Sequence, residues 1–180
     1  MQFFEKTIKG YFTFHYGVGC AIGLIIFCGY MIMLRKRKRS QGQSVSRKEI
    51  LCGLALSVYL VFLLGGTILN RDASKKFHME LMPFWSYYEA IVKKDIEMAL
   101  QILGNVLVFI PFGILLPEVW GRMRNMRYII LVATGASFTL ELVQLTFKLG
   151  LFEFDDVFHN TLGAVIGYGL WRIWRKIKSP

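Results

Sequence analysis

Charged residues are scarce in this 180-residue chain, and cysteine is scarcer still. Asp, Glu, Lys and Arg make up 19% of the residues, below the roughly 25% of an ordinary soluble domain, whereas hydrophobic residues make up 54%. A soluble fold of this length would need several helices that are polar on one face, so the composition argues against one. The cysteines lie in or beside apolar segments without CxxC spacing, and the sequence therefore predicts neither a disulfide framework nor a thiolate metal site. They are Cys20, Cys28 and Cys52.

The familiar catalytic motifs are also missing. The sequence contains no nucleophile elbow, no phosphate-binding glycine loop and no Cys/His pair, and Ser137 follows no G-x-S-x-G pattern. Any chemistry would have to come from carboxylates, and the sequence leaves open whether the protein is an enzyme.

Long apolar runs, separated by short charged clusters, dominate what is present. Runs of roughly 20 residues are long enough to cross a bilayer as helices, so we expect an all-α fold: a polytopic integral membrane helical bundle in a single domain, 1–180. Five transmembrane helices are predicted, at 11–34, 50–69, 100–119, 128–149 and 157–173.

The formal charge of +10 is concentrated at the ends of these runs. Cations cluster at 35–49, 120–127 and 172–178, whereas the loop 150–156 holds only acids. Because cytoplasmic loops of membrane proteins are rich in Lys and Arg, the pattern predicts the amino terminus outside and the carboxyl terminus in the cytoplasm. The same clustering argues against a nucleic-acid partner, which would require a basic stripe over one surface.

The predicted outer loop, 70–99, is too aromatic for a plain linker. Phe84, Trp85, Tyr87 and Tyr88 follow Pro83, as expected at a headgroup boundary. The next segment, EAIVKKDIEMAL, mixes apolar and charged positions at helical spacing and predicts a short amphipathic interfacial helix. An ordinary aromatic belt without a ligand is the alternative.

Glu141 is the most unusual residue inside a predicted span. A charged group near mid-helix costs about 2.5 to 3.5 kcal/mol on insertion scales, so Glu141 should face the bundle and have partners there. Ser137, Gln144 and Lys148 share its helical face. In the last span, Asp156 and Asn160 share a face with a GxxxG pair, Gly163 and Gly167, a spacing that allows close helix packing.

These polar residues predict a pocket in the outer third of the membrane. Its lining would be Asn105, Glu141, Gln144 and Asn160, with Asp155 and Asp156 at its rim. The alternative is structural, because Asn and Gln often join transmembrane helices by hydrogen bonds and Asp often caps a helix start. The grouping favours a ligand site, since packing alone does not require a buried acid.

Two further residues, Pro111 and His159, also have predicted roles. Pro111 removes a backbone donor in mid-span and predicts a kink that frees a carbonyl. His159 and Asp155 stand four residues apart and could hold a metal ion together, but DDVFH lacks the definition of an HExxH site. We predict no metal and no cofactor.

At this point the sequence resembles the VanZ-like membrane protein family. The resemblance is carried by ELMPF at 80–84, GNVLVFIPFGILLP at 104–117, ELVQ at 141–144 and FEFDDVFHNTLGAVIGY at 152–168. It implies a small bacterial cell-membrane protein of the teicoplanin-resistance type. It also implies functional roles for Pro111 and for the six polar residues of the predicted pocket.

The resemblance suggests three parts, namely an amino-terminal two-span part at 1–70, the aromatic loop at 71–99 and a VanZ-like three-span core at 100–180. Two positions depart from the family pattern. Many members carry Arg before the acidic run and Asp where Glu153 stands, and many carry Asn where Glu80 stands. No role is therefore assigned to Glu80.

Three functions remain as alternatives. The first is glycopeptide resistance through the outer pocket, with membrane lipids, a lipid-linked cell-wall precursor or a glycopeptide as the candidate partners. The second is a membrane enzyme that uses Glu141 and Asp156 as an acid/base pair on a lipid-linked substrate. The third is a proton-coupled transporter, which the lack of an internal repeat disfavours. The sequence does not predict an oligomeric state.

Overall fold

A computed structural model describes residues 16–69 and 79–178, and this part of the chain is almost entirely helical. The start of the first predicted span and residues 70–78 of the outer loop lie outside the described residues. Within them the all-α prediction is confirmed. The α-helices are α1 (Tyr16–Ser40), α2 (Arg47–Leu64), α3 (Trp85–Tyr87), α4 (Ile96–Val119), α5 (Met126–Thr146) and α6 (Phe154–Lys178).

Shorter elements join these helices. Two π-helical turns, Gly65–Leu69 and Tyr88–Val92, continue α2 and α3, and a 3-10 turn, Gly121–Arg124, links α4 to α5. Two-residue strands, β1 (Met79–Glu80) and β2 (Phe152–Glu153), form a parallel pair.

Four helical stretches of the described residues are long and apolar enough to cross a membrane. They are Gly19–Ser40, Arg47–Ile68, Ile96–Val119 and Met126–Thr146. The fifth predicted span corresponds to α6, whose 25 residues would extend about 37 Å. Its first half carries three of the polar residues of the predicted pocket, Asp155, Asp156 and Asn160, which separates it in composition from the other four. The protein is a polytopic membrane protein.

Local signals explain where the helices begin. Ser46 and Glu49 form a reciprocal capping box at the start of α2, and Asn125 caps α5 through its side-chain oxygen. Asp95 accepts backbone N–H groups at the start of α4. Lys94, just before it, has a positive φ of 57°. The segment EAIVKKDIEMAL, 89–100, was predicted to be one short helix, but this break divides it between two helical elements. The helical part of the loop therefore lies earlier, at Trp85–Val92.

The closest helix packing is between α4 and α6, which run parallel. A Cβ atom on Gly163 would collide with the backbone carbonyl of Val106, and one on Gly167 would collide with that of Ile110. From the other side, Gly113 packs against the backbone of Ala164. The GxxxG pair therefore works as the sequence suggests, by letting two backbones meet.

The three basic segments lie together at one end of the bundle, as their pattern predicts. Lys48 at the start of α2 pairs with Glu118 at the end of α4, with 2.8 Å between Nζ and Oε2. Glu118 also accepts a hydrogen bond from the indole of Trp171 near the end of α6. We call this the basic end, and the opposite end, where α6 begins, the loop end.

Candidate functional site

The strand pair fastens the outer loop to the start of α6. Met79 pairs with Phe152 and Glu80 with Glu153, although more than 70 residues separate them in the sequence. The aromatic segment that follows β1 is thereby brought over the acidic segment that follows β2. Sequence analysis places both segments at the same end of the bundle without predicting this contact.

Asp155 holds the loop in place. Its Oδ1 accepts the backbone N–H of Phe84 at 2.7 Å, and its Oδ2 accepts both the backbone N–H and the hydroxyl of Ser86, at 3.0 and 2.6 Å. Phe84 has a left-handed backbone with a φ of 63°, which a carboxylate aimed at its N–H helps to stabilise. The predicted rim acid is thus buried and occupied by the protein itself.

The electrostatics of Asp155 agree with this geometry. The residue precedes the predicted fifth span and is 6% exposed. Burial opposes its ionisation, but the hydrogen bonds from Ser86 and Phe84 outweigh burial and lower the pKa of its carboxyl. Asp155 is therefore present as a carboxylate.

Glu141 lies in a second contact, beside β2. It is 4% exposed, and its Oε2 accepts the backbone N–H of Glu153 at 3.2 Å. Glu153 is also buried, and its Oε1 accepts a hydrogen bond from Gln101 of α4 at 3.0 Å. The acid in α5 thus connects to α4 through β2, and Gln101 and Glu153 are two participants that sequence analysis missed.

Gln144 and Asn160 make separate contacts between helices. The side-chain amide of Gln144 donates to the carbonyl of Thr67, in the π-helical turn after α2, at 2.9 Å. The amide of Asn160 donates to the hydroxyl of Ser137 in α5 at 2.8 Å. Ser137, Glu141 and Gln144 are all buried, so α5 does direct their shared face inward.

Asn105 lies further from the start of its helix than the predicted span, 100–119, implies. Because α4 begins at Ile96, Asn105 is nine residues into the helix, or roughly 13 Å at 1.5 Å per residue. Its side-chain amide nitrogen is buried and has no hydrogen-bond partner among the described residues. Glu141, Gln144 and Asn160 thus have different hydrogen-bond partners, and the prediction that they line one pocket with Asn105 stays a prediction.

His159 has a more unusual environment in the structure than the sequence predicted. It is fully buried, and neither ring nitrogen has a hydrogen-bond partner within residues 16–69 and 79–178. Its Nδ1 lies 3.8 Å from Oδ1 of Asp156, one turn earlier in α6. Tyr87 of the loop covers the imidazole edge-on, with 5.3 Å between the ring centroids. An unpartnered imidazole at 0% exposure is unusual, because buried polar groups normally have partners.

We call Tyr87, Asp155, Asp156 and His159 the loop–helix site. Asp155 positions the loop, Tyr87 closes over the imidazole, and Asp156 remains beside the imidazole with a partly exposed side chain. The sequence signal for His159 was its place one turn after Asp156 at the start of a span.

Exposed apolar side chains surround this site. Phe84 and Phe158 contact each other edge-to-face, with 6.4 Å between ring centroids, and both remain exposed, as do Met82 and Phe154. An exposed apolar rim at the end of a membrane bundle suits contact with acyl chains. We call these four residues the apolar rim.

A metal centre has no support in the described residues, where no three His, Cys, Asp or Glu side chains are grouped to hold an ion. His159 and Asp155 are also poorly suited to hold a metal ion together, because both carboxylate oxygens of Asp155 already accept hydrogen bonds from the loop.

Comparison with known protein families assigns the chain to one of them. The VanZ/LLP1 family profile matches residues 50–175, which is most of the chain. The chain belongs to the VanZ/LLP1 family. The match starts in α2, leaves α1 outside and includes the whole loop–helix site of this VanZ/LLP1 member.

One curated relative is Protein VanZ of Enterococcus faecium. It is 31% identical over 80 residues, which is 42% of this chain and 47% of that protein. The chain thus spans about half the length of this relative. No solved structure matches the chain.

Proposed function

We propose that this protein protects bacterial cells against glycopeptides of the teicoplanin type by binding a lipid-linked cell-envelope component at the loop–helix site. Membership of the VanZ/LLP1 family supports a function of this class. The teicoplanin connection comes from the resemblance to the VanZ-like family, whose founding member is associated with resistance to that antibiotic.

The observation that carries the proposal is the pair of a buried His159 and a partly exposed Asp156 beside the apolar rim. A lipid-linked envelope component has an acyl chain or polyprenyl chain beside a polar head. The apolar rim matches the first, and the carboxylate and imidazole, held 3.8 Å apart, can accept and donate hydrogen bonds to the second. Tyr87 must move for a head group to reach His159, because its ring covers the imidazole.

In our proposal this site faces the exterior. The basic end carries three clusters of cations, whereas the segment 150–156, which leads into α6, carries three acids, Glu153, Asp155 and Asp156, and no cation. The positive-inside rule then directs the basic end to the cytoplasm and the loop end outward, where lipid-linked wall precursors and glycopeptides meet.

The test uses cells that express the full chain at equal membrane levels. Cells with the unmodified protein should bind less fluorescent teicoplanin and tolerate more of it than cells without the protein. Asp156→Asn removes the charge beside His159 and should restore binding and susceptibility. Glu97→Gln removes one charge from an exposed position at the same end and serves as the matched control.

Protection by Asp156→Asn equal to that by the unmodified protein would remove the loop–helix site from the mechanism. Raised tolerance with unchanged teicoplanin binding would instead reject the idea that the protein alters exposure of the antibiotic's target.

An enzyme is the second candidate, and one observation favours it. A carboxylate beside a buried imidazole is a common arrangement for general acid/base chemistry. Here the pair is Asp156 and His159 rather than Glu141 and Asp156, because the Glu141 carboxylate accepts the N–H of Glu153. Mass spectrometry of lipid-linked wall precursors decides, since identical profiles with and without the protein would leave no reaction to catalyse.

A further inference from the structure

A cavity of about 540 Å³ opens at the basic end, far from the loop–helix site. It lies between the start of α5 and the last turns of α6. Three arginines line it, together with one amide side chain and two aromatic rings. These residues are Arg124, Asn125, Tyr168, Trp171, Arg172 and Arg175.

The lining of this cavity carries three cations and, among the described residues, no acid. In the described part of the chain none of the three arginines forms an ion pair with a carboxylate. The nearby acid, Glu118, pairs with Lys48 and accepts the indole N–H of Trp171, each at 2.8 Å, and the charge of Arg175 also acts on its carboxyl without a direct contact. Three arginines around one opening that no described acid lines create a positive potential, which favours an anion there.

A second cavity at the same end is lined by acids as well as by cations. It has a volume of about 220 Å³ and holds Arg37, Lys38 and Arg124, but Glu49 and Glu118 also line it. Lys38 pairs with Glu49 there, with 2.9 Å between Nζ and Oε1. Acids thus lie among the cations of the smaller cavity, whereas no described acid lines the larger one, although Arg124 belongs to both.

The walls of the larger cavity are fixed in place. The hydroxyl of Tyr168 donates to the backbone carbonyl of Arg124 at 2.6 Å, which ties the α4–α5 turn to α6. Trp171 is buried, and the guanidinium of Arg175 lies over its ring, 5.4 Å from the centroid. Because Arg175 is held over this ring, its side chain loses little freedom on binding.

We propose that this cavity binds the phosphate group of an anionic molecule at the height of the lipid headgroups. Guanidinium groups recognise phosphate oxygens through paired hydrogen bonds, which suits three arginines around one opening. The cavity lies where α5 starts and α6 ends, and basic pockets of this kind at membrane helix ends bind phospholipid headgroups. The same chemistry would accept free phosphate. The inference does not depend on the proposed function.

The experiment titrates the full-length protein, purified in a non-ionic detergent, with three probes. Phosphatidylglycerol carries an anionic phosphodiester, phosphatidylcholine carries the same group with a neutralising cation, and inorganic phosphate lacks the lipid. Native mass spectrometry counts bound lipid, and isothermal titration calorimetry measures inorganic phosphate. The variant is Arg124→Gln with Arg172→Gln, and the control with equal charge loss is Lys36→Gln with Arg39→Gln, at exposed positions of α1 outside the cavity.

We expect phosphatidylglycerol to bind more tightly than phosphatidylcholine. Removing two arginines should weaken its binding by roughly fivefold per residue, on the order of 25-fold in all, and the control should not. Binding of inorganic phosphate with the same dependence on the arginines, without a preference for phosphatidylglycerol, would assign the site to a soluble phosphate. The proposal is overturned if the arginine variant and the control bind phosphatidylglycerol equally well and also bind inorganic phosphate equally well. Thermal unfolding of each variant shows that all are folded.

Discussion

Ser86 and Asp155 are joined twice through one carboxylate oxygen, by the serine N–H at 3.0 Å and by its hydroxyl at 2.6 Å. The two residues are 69 positions apart in the sequence, and this contact decides where the outer loop lies on the bundle. The loop in turn places Tyr87 over His159, so the geometry of the loop–helix site depends on Asp155.

Asp155→Asn should release the loop. An asparagine cannot accept three charge-assisted hydrogen bonds in this geometry, and loss of a bond to a charged group costs about 1.5 to 3 kcal/mol. We expect a lower thermal unfolding midpoint in detergent and faster tryptic cleavage after the exposed Lys93 and Lys94. Asp156→Asn removes the same charge one residue later and should leave cleavage unchanged. Equal cleavage of the two variants would contradict the assigned role of Asp155.

The contribution of Asp155 should also depend on pH. Hydrogen bonds lower the pKa of its carboxyl in the folded protein below the ordinary value of about 3.9. Its stabilisation is therefore complete above that value and is lost as the pH falls through the lower, folded pKa. The difference in unfolding midpoint between the unmodified protein and Asp155→Asn should stay constant from about pH 8 to 5 and shrink below about pH 4. A difference that is largest in acid would refute the assignment.

Gly163→Ala and Gly167→Ala should each disturb the packing of α4 against α6. The added methyl group would meet the backbone carbonyl of Val106 or Ile110, and overpacking of this kind costs about 1 to 3 kcal/mol. Unfolding titrations with SDS in mixed micelles measure the loss. Gly169→Ala is the matched control in the same helix, because a Cβ atom there meets nothing within 4 Å. If all three variants unfold alike, the close crossing is not a source of stability.

Ser137 and Asn160 should be energetically coupled across α5 and α6. Their 2.8 Å hydrogen bond is buried, and such bonds between membrane helices contribute about 0.6 kcal/mol on average and up to about 1.7. A double-mutant cycle with Ser137→Ala and Asn160→Ala, followed by SDS unfolding, isolates this energy. Thr139→Ala replaces Ser137→Ala in a control cycle, because Thr139 is exposed and bonds within its own helix to Gly135. A coupling no larger than that of the control would mean that the bond does not stabilise the bundle.

The two ends of the bundle should differ in accessibility from outside the cell. In a variant without Cys20, Cys28 and Cys52, a single cysteine is placed at Lys93 in the outer loop or at Ser44 between α1 and α2, both exposed. An impermeant maleimide on intact cells should label Lys93→Cys and not Ser44→Cys. Labelling of both after permeabilisation is the control, and the reverse pattern would invert the proposed orientation.

Much of the architecture could be predicted because membrane helices are governed by local rules. Length and hydropathy predicted the helices that contain most of the bundle, and charge clusters predicted that three basic segments share one end. The GxxxG spacing predicted the close approach of α6 to α4, since small residues act through the immediate neighbour helix. Boundaries were less accurate, as α4 begins at Ile96 because Asp95 caps it.

The partners of the polar residues could not be predicted in the same way. The sequence did not indicate that Glu141 would accept from Glu153, that Gln144 would donate to Thr67 or that Asn160 would donate to Ser137. A helical pattern indicates which face a side chain lies on, but two helices can be rotated or shifted by one turn without changing that pattern. Each shift would give the same residues other partners.

The sequence by itself determined that this protein is a helical membrane protein, which segments are long and apolar enough to cross a membrane and which ends carry the positive charge, because these properties sum over many residues along each helix. Only the tertiary structure decided that Asp155 binds the loop, that His159 is buried without a partner for its ring nitrogens among the described residues, and that three arginines line one cavity. Asp155 and Ser86 are 69 positions apart and are joined by hydrogen bonds of 3.0 and 2.6 Å, and contacts that short depend on the register and rotation of the helices between them.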